Sequence, residues 1–508
     1  MNVAQLAVDA LDRFGEYKST YFEEQWYTNV ELMRRWCALA TVLQGKGVRP
    51  GDRVVVMMPS CLEVPAAFHA VARIGAVIIP LMPQLIAREV KFIVEDSGAR
   101  TMITSPEIAP CVVEATSANA ESCRILVCGE TELPNCENIL PLVQTAAPME
   151  SMSDAEPNDL AVLVYTSGTT GRPKGVMLSH ANLISNTESV AELFDLPADE
   201  RSMMVLPMSH VYGILLMNLS ALNGGVSTML RRFDTELALQ TLADFCVERC
   251  SLVPAMQVAL IHHPNRENYD YSSLKIVAAG SAPLAEEIRV DFERLFDCRV
   301  VDGYGQSEAT CAVSAYRDDE AFVVGSVGRP IPGVEVCIQN DENHPLPFGE
   351  TGEICIRGPN VMLGYWNNEE ASRAAIIDGW LHSGDIGHTN KQGYIFITDR
   401  KKDMIIKAGE NISPREIEEA IYGLAGVSEV SVYGVPDPAL QEEIAVSIVM
   451  KAGEQVSADD VREFAGGCLS KFKIPKYVMF PDQLPKNSNG KVLKRTLREE
   501  WKSASDLS

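Results

Sequence analysis

Thr166-Ser167-Gly168-Thr169-Thr170-Gly171-Arg172-Pro173-Lys174-Gly175 packs four hydroxyls, three glycines and two cations into ten residues. Glycine lets backbone N–H groups approach an anion closely, hydroxyls add hydrogen bonds, and Arg172 and Lys174 balance its charge. The run Leu160-Ala161-Val162-Leu163-Val164-Tyr165 reads as a buried strand emptying into this loop. Val176 to Asn182 reads as a strand end leading into a helix, with Ser179 near its cap. A flexible Ser/Thr/Gly linker shares the composition but lacks such flanks. The expected ligand is a polyphosphate, and the spacing is not that of a Walker A loop, because no Gly stands five residues before a Gly-Lys-Ser/Thr.

The surrounding pattern is α/β. Residues 29–46 and about 62–74 look helical, while Arg53–Met58, Ala76–Pro80, Arg100–Thr104 and Arg124–Cys128 read as strands between helical stretches. Such a rhythm predicts mostly parallel sheets covered by helices. Met203–Leu206, Leu274–Ala278 and Cys298–Val301 resemble strand ends that feed loops rich in Gly, Ser or His, and ligands of open α/β sheets gather at those carboxyl ends. Between about 325 and 399, Gly and Pro become dense and short alternating runs such as Val334–Ile338 and Gly352–Ile356 predict a β-rich subdomain. Ser413-Pro414-Arg415-Glu416 then combines an N-cap, a Pro and an acidic residue three past the cap.

At 508 residues the chain exceeds the roughly 250–300 at which a single core stops growing, so at least two domains are expected, with a boundary near 400. The balance of 44 Lys+Arg against 69 Asp+Glu gives a net charge of −25, which disfavours a non-specific nucleic-acid binder or a partner of anionic membranes. An anionic substrate must then meet a locally positive site. Thirteen cysteines without a C-x-x-C pair read as mostly buried thiols, and the N-terminus has neither a basic region nor a long apolar core, so a reducing cytoplasm is expected. The most apolar stretch, Val64–Met82, is interrupted by His69, Arg73 and Pro80 and reads as an amphipathic helix followed by a strand, not a transmembrane segment.

Four further motifs follow the loop: Leu206-Pro207-Met208-Ser209-His210, Asp302-Gly303-Tyr304-Gly305-Gln306-Ser307-Glu308, Trp380-Leu381-His382-Ser383-Gly384-Asp385 and Pro485-Lys486-Asn487-Ser488-Asn489-Gly490-Lys491. In this order, with Asp399-Arg400 between the last two, nearly the whole chain resembles the adenylate-forming superfamily, which includes acyl-CoA synthetases, luciferases and peptide-synthetase adenylation domains. The resemblance is strongest to medium- and long-chain fatty acyl-CoA synthetases, through Ala408-Gly409-Glu410-Asn411-Ile412-Ser413-Pro414. It implies a large N-terminal AMP-binding domain (1–399), a hinge (400–402) and a small mobile α+β C-terminal domain (403–508). It also implies a two-step reaction: a carboxylate attacks the α-phosphate of ATP to give acyl-AMP and pyrophosphate, and the thiol of coenzyme A then takes the acyl group and releases AMP.

The resemblance also assigns residues. Thr166, Ser167, Gly168, Thr169, Thr170, Gly171 and Lys174 would clamp the β- and γ-phosphates. Glu308, with Thr166, would hold magnesium, and Ser307 would meet the α-phosphate. Asp302 would meet the adenine amino group and Tyr304, between Gly303 and Gly305, would stack on adenine. Gly280, Ser281 and Ala282 complete the nucleotide set, and Asp385 and Arg400 would bind the ribose hydroxyls. Lys491 would contact the carboxylate and α-phosphate oxygens as charge develops, beside a gate at His210. After adenylation the C-terminal domain would pivot at Lys402 and open a coenzyme A passage lined by Gly409 and Lys407.

The acyl pocket is expected around Tyr212, Gly213, Met217, Ala279, Gly280, Gly305, Gln306 and Ala309, which are small or apolar apart from Tyr212 and Gln306. Gln306 stands where many relatives carry Met or Thr. No cation or acid is evident there to bind a second charge, so a fatty or alicyclic monocarboxylic acid is expected. Aryl-CoA ligases often carry a lysine four residues past the hinge, where this chain has Ile406 with Lys407 adjacent, which weighs against an aromatic acid. An amino-acid substrate would want a pocket carboxylate. A catalytically dead nucleotide-binding homologue would have lost Lys491, Glu308 or the loop. The implied partners are ATP, Mg2+, coenzyme A and the acid, and a homodimer is left open.

Overall fold

The computed structural model describes residues 1–117, 123–166, 173–194, 196–408, 410–438, 440–451, 453–486 and 491–505, without the side chains of 411 and 503–505. The architecture is α/β, with a large body of two sheets and a smaller C-terminal domain. Val54, Val55 and Val56, all at most 2% exposed, place Arg53–Met57 inside a sheet covered on both faces. That sheet has eight strands in the order 364–365, 174–179, 160–166, 77–81, 53–57, 101–104, 124–127, 136–138. Its middle is parallel, and the hairpin joining Leu160–Thr166 to Lys174–Ser179 is antiparallel. A nine-stranded sheet holds Arg201–Met204, Val226–Met229, Arg249–Leu252, Ile276–Ala279 and Arg299–Gly305 in parallel. One hydrophobic cluster joins the two sheets, running from Val54 through Leu43, Val71, Leu183 and Ile214 to Met204 and Met229.

Local chemistry explains the element ends. Thr28 and Glu31 form a capping box that opens the helix Asn29–Gly45, and Gly75, at φ 83°, closes the helix Glu63–Ile74. Ser179 and Asn182 bond each other's backbone N–H at 3.1 and 2.9 Å where the strand turns into the helix His180–Phe194. The expected strand near 298–301 instead continues to Gly305, because an antiparallel partner, Ala312–Ala315, prolongs the ladder. The two glycines allow that approach: a Cβ on Gly305 would lie 1.6 Å from the Cys311 carbonyl oxygen, and one on Gly303 3.1 Å from that of Ser314.

Strands 335–339, 352–357, 376–377, 380–389 and 395–400 form a five-stranded antiparallel sheet in which Asp385 pairs with Arg400. A further five-stranded sheet, from Ile405–Lys407 to Tyr477–Met479, packs against the helices Pro414–Tyr422, Ala458–Cys468 and Lys494–Ser505. The cysteines are free, but only Cys37, Cys61, Cys250 and Cys355 are fully buried, fewer than expected, because many others sit at strand and helix ends. Among the described residues, no helix is long and apolar enough to cross a membrane.

Ser413 caps the helix Pro414–Tyr422 by accepting from Glu416 N, and its hydroxyl bonds Asp399 Oδ2 at 2.9 Å. Ser413→Ala should therefore cost about 1 kcal/mol, read as an earlier denaturant midpoint; an unmoved midpoint would mean that water replaces both bonds.

Candidate active site

The carboxyl ends of both sheets open into one cavity of about 1140 Å³. On the phosphate side, Thr166 and Lys174 face each other across the hairpin, and both line the cavity. Lys174 Nζ lies 4.9 Å from the centre of the Tyr365 ring, and the Tyr365 hydroxyl donates to Glu308 Oε1 at 3.0 Å. One tyrosine thus spans the gap between the loop lysine and the acid expected to bind magnesium. Ser167, Gly168, Thr169, Thr170 and Gly171 lie outside the described residues, as does Gly409.

Opposite them, the Tyr304 hydroxyl donates to Asp385 Oδ2 at 2.6 Å and Arg400 Nε lies 2.9 Å from Asp385 Oδ1. The ladder pairing of Asp385 with Arg400 sets this ion pair. Asp302, at the carboxyl end of its sheet, is 9% exposed, and burial pushes its carboxyl up to about 7 despite the Gly303 N–H bond and the charge of Arg415. Lys491 lines the same cavity although it stands 91 residues beyond Arg400. Burial, and then the charge of Arg400, push its amine down to about 8. Lys402 is lowered for the same two reasons.

His210 caps the helix Val211–Asn223, its Nδ1 accepting from Tyr212 N at 3.3 Å. Burial pushes its pKa down to about 4, so the ring is neutral near pH 7 with its proton on Nε2. Ser281 takes a left-handed φ of 69°, a cost for a non-glycine residue, and lines the cavity with Ala279, Gly280, Ser307 and Gln306. Gln306 Nε2 is buried and has no hydrogen-bond partner among the described residues.

Five expected residues besides Lys407 do not line the cavity: Gly213, Met217, Ala282, Ala309 and Asp385, the last being buried against Tyr304 and Arg400, which do line it. A Cβ on Gly213 would lie 2.2 Å from the Pro207 carbonyl oxygen, so its smallness admits backbone, not substrate. Ala309 is fully buried, and Met217 packs against the core between the sheets. Lys407 is also away from the cavity, in a largely buried ion pair with Glu443. Conversely, Tyr365, Ser383, Lys401 and Lys486 line the cavity without having been expected there. Lys486 sits inside the motif that ends at Lys491, a signal that pointed to it, whereas Tyr365 has no local signature.

Glu308 and Thr166 offer one carboxylate and one hydroxyl, and no cluster of three His, Cys, Asp or Glu is found among the described residues. That donor set fits a magnesium ion completed by phosphate oxygens and water, not one caged by protein alone.

Residues 8–366 match the AMP-binding enzyme family and residues 416–491 the AMP-binding enzyme C-terminal domain. The chain is 34% identical over 528 aligned residues to a long-chain-fatty-acid–CoA ligase of Bacillus subtilis, covering 97% of this chain and 94% of that protein. It is 36% identical over 485 residues to a feruloyl-CoA synthase of an Amycolatopsis species, covering 93% and 94%. ATP-bound MatB from Rhodopseudomonas palustris is similar in structure, with a TM-score of 0.91 and 29% identity over 99% of each chain.

The raised pKa of Asp302 gives a signed prediction. The folded state binds this proton more tightly than the unfolded chain, so the group's contribution to stability is full below its ordinary 3.8 and is lost as pH rises through about 7. Asp302→Asn removes that titration. The Tm of the variant relative to the parent should climb between those two pH values, and a constant difference would mean the carboxyl titrates normally.

Proposed function

The chain belongs to the AMP-binding enzyme family, and from that premise we propose that it is an AMP-forming acyl-CoA ligase acting on an apolar monocarboxylic acid. The observation that carries this reading is the meeting, in one cavity, of Lys174, Glu308, Tyr304, Arg400 and the distant Lys491, with Asp385 holding Tyr304 and Arg400 from behind. In the first step a carboxylate oxygen bonds to the α-phosphorus of ATP while the bond to pyrophosphate breaks. The free carboxylate is a poor acyl donor, whereas AMP leaves readily from the mixed anhydride. In the second step the coenzyme A sulfur bonds to the acyl carbon, and the carbon–oxygen bond to AMP breaks.

The protein's task is to position and to stabilise charge. Asp385 would accept from the ribose hydroxyls and Arg400 would donate to them. Ser281 and Ser307 line the cavity and would donate to the phosphates, and Lys174 and the loop before it would hold the departing pyrophosphate. Lys491 would meet the charge that builds on the α-phosphate oxygens. His210, neutral and carrying its proton on Nε2, would act as a hydrogen-bonding gate and not as a charge. Glu308 and Thr166 would hold magnesium, which when bound draws charge from the phosphate oxygens.

For thioester formation we propose that the C-terminal domain turns about Lys402 and brings Gly409 and Lys407 toward coenzyme A. Lys407 would have to leave Glu443 to do so. Thirteen free cysteines support a cytoplasmic setting. Leucines along the helix Val211–Asn223, together with Val190 and Phe194, support a fatty or alicyclic acid. Similarity to a feruloyl-CoA synthase supports an aromatic acid as the second reading.

Pyrophosphate release measured with fatty, alicyclic, aromatic and amino acids, with and without coenzyme A, tests the class. Acid-dependent release is expected, and silence across the panel would refute it. Lys491→Ala should slow adenylation by about 10²–10³-fold yet spare conversion of supplied acyl adenylate to thioester; equal loss of both steps would sink the assignment. Because kcat/KM reports groups of the free enzyme, its value for ATP should fall as pH rises through about 8, where Lys491 loses its proton. In Lys491→Arg that limb should vanish.

A further inference from the structure

The cavity does not stop beside the phosphates. It follows one face of the helix Val211–Asn223, through Tyr212, Leu215, Leu216, Leu219, Ser220 and Asn223 at helical spacing. A helix of 13 residues is about 20 Å long. The tunnel therefore runs from the carboxyl edge of the nine-stranded sheet to its amino edge. The parallel register gathers the far end: Arg201 pairs with Val226, Ser202 pairs with Arg249, and Val226 N donates to the Glu200 carbonyl at 3.2 Å.

The chemistry changes along this path. Its middle is leucine, valine and phenylalanine, whereas Glu200, Ser202, Arg249 and Asn223 line the far end. Arg249 Nε donates to both Glu200 carboxylate oxygens at 3.0 Å, while Nη1 and Nη2 donate to Asp318 at 3.2 and 2.5 Å. The guanidinium sits 5.2 Å from the centre of the Phe194 ring, so it is packed as well as paired. Two carboxylates here share one guanidinium, and burial raises the pKa of Glu200. Asn223 Nδ2 is buried and finds no hydrogen-bond partner among the described residues.

Each class of acid meets this end differently. A methyl terminus leaves the Asn223 amide unpaired, which a buried polar group does not tolerate cheaply. A second carboxylate would be a third anion around a single guanidinium. An ammonium supplies no acceptor for the amide N–H. A hydroxyl or carbonyl accepts from Asn223, and a hydroxyl can also donate to Glu200. Resting on the ligase reading above, we propose that the acid taken by this site has an apolar body and ends in a neutral hydrogen-bonding group, a hydroxyl or carbonyl, read by Asn223.

The test is pyrophosphate release by the full chain with length-matched acids, from about eight to sixteen carbons so as to bracket the ~20 Å tunnel, ending in methyl, hydroxyl, ketone, carboxylate or ammonium. At the best length, the hydroxyl- or ketone-ended acid should exceed its methyl-ended partner in kcat/KM by roughly tenfold or more. Asn223→Leu should erase that preference by lowering the polar-ended acid and raising the methyl-ended one, with KM for ATP unmoved. Asn223→Ala should shift it the same way, and if neither variant folds the preference of the unaltered protein decides alone. A methyl-, carboxylate- or ammonium-ended acid preferred at every length overturns the inference while leaving the ligase reading intact. Silence with all of them overturns the inference, and the wider panel with alicyclic, aromatic and amino acids then decides the ligase reading separately.

Discussion

The Asp385 carboxylate is the joint on which the site depends. It accepts from Tyr304, on the nine-stranded sheet, at 2.6 Å, and it pairs with Arg400, on the antiparallel sheet, at 2.9 Å. At 3% exposure the carboxylate has both of its oxygens engaged, as a buried polar group requires. Two sheets are thereby joined: the nine-stranded one, through the strand that carries Asp302 to Gly305, and the antiparallel one, whose last strand ends at Arg400 and leads into the C-terminal domain. Asp385 thus fixes Tyr304 and Arg400, which line the cavity, and the charge of Arg400 reaches Lys491.

That arrangement also resolves a tension in the composition. A chain of net charge −25 must present a positive cavity to a polyphosphate. It does so with a few cations. Lys401 is paired with Asp341 and Glu353, and Lys486 with Glu429, and Lys402 and Lys491 are buried near Arg400 with their amines pushed below their ordinary values. On the proposed reading, burial beside like charge favours the arrival of an anion, so phosphate binding and closure of the C-terminal domain would reinforce each other. On the proposed reading, loss of pyrophosphate weakens that coupling and favours reopening.

Much of this was legible in the residues, because it is written locally. The strand before the phosphate loop, the cap at Ser413 and the valine run at 54–56 each declare themselves within a few positions. What was not legible depends on partners far away. Tyr365 lies in a two-residue strand whose pairing with Val176 and Met177 brings it between Lys174 and Glu308. Lys407 looks available in the sequence but meets Glu443 from the neighbouring strand. Gly213 and Ala309 show why small residues mislead: absence of a side chain can leave room for a ligand or for the protein's own backbone, and only the fold decides which.

The helix Val211–Asn223 extends that logic from phosphate to acid. Its start is tied by His210, whose ring caps the first turn beside the reacting end of the cavity, and its end is closed by Gly224 in the left-handed region at φ 66°. A rigid element fixed at both ends acts as a ruler, in a way that a loop would not. The distance from His210 to the polar cluster at Glu200, Arg249 and Asn223 is therefore set by helix geometry. Side chains between them tune width and apolarity, while the two ends decide what chemical groups an acid must carry. On the proposed reading, choice of acid and positioning of its carboxylate are two properties of one helix, and a change that shifted the helix along its axis would disturb both together.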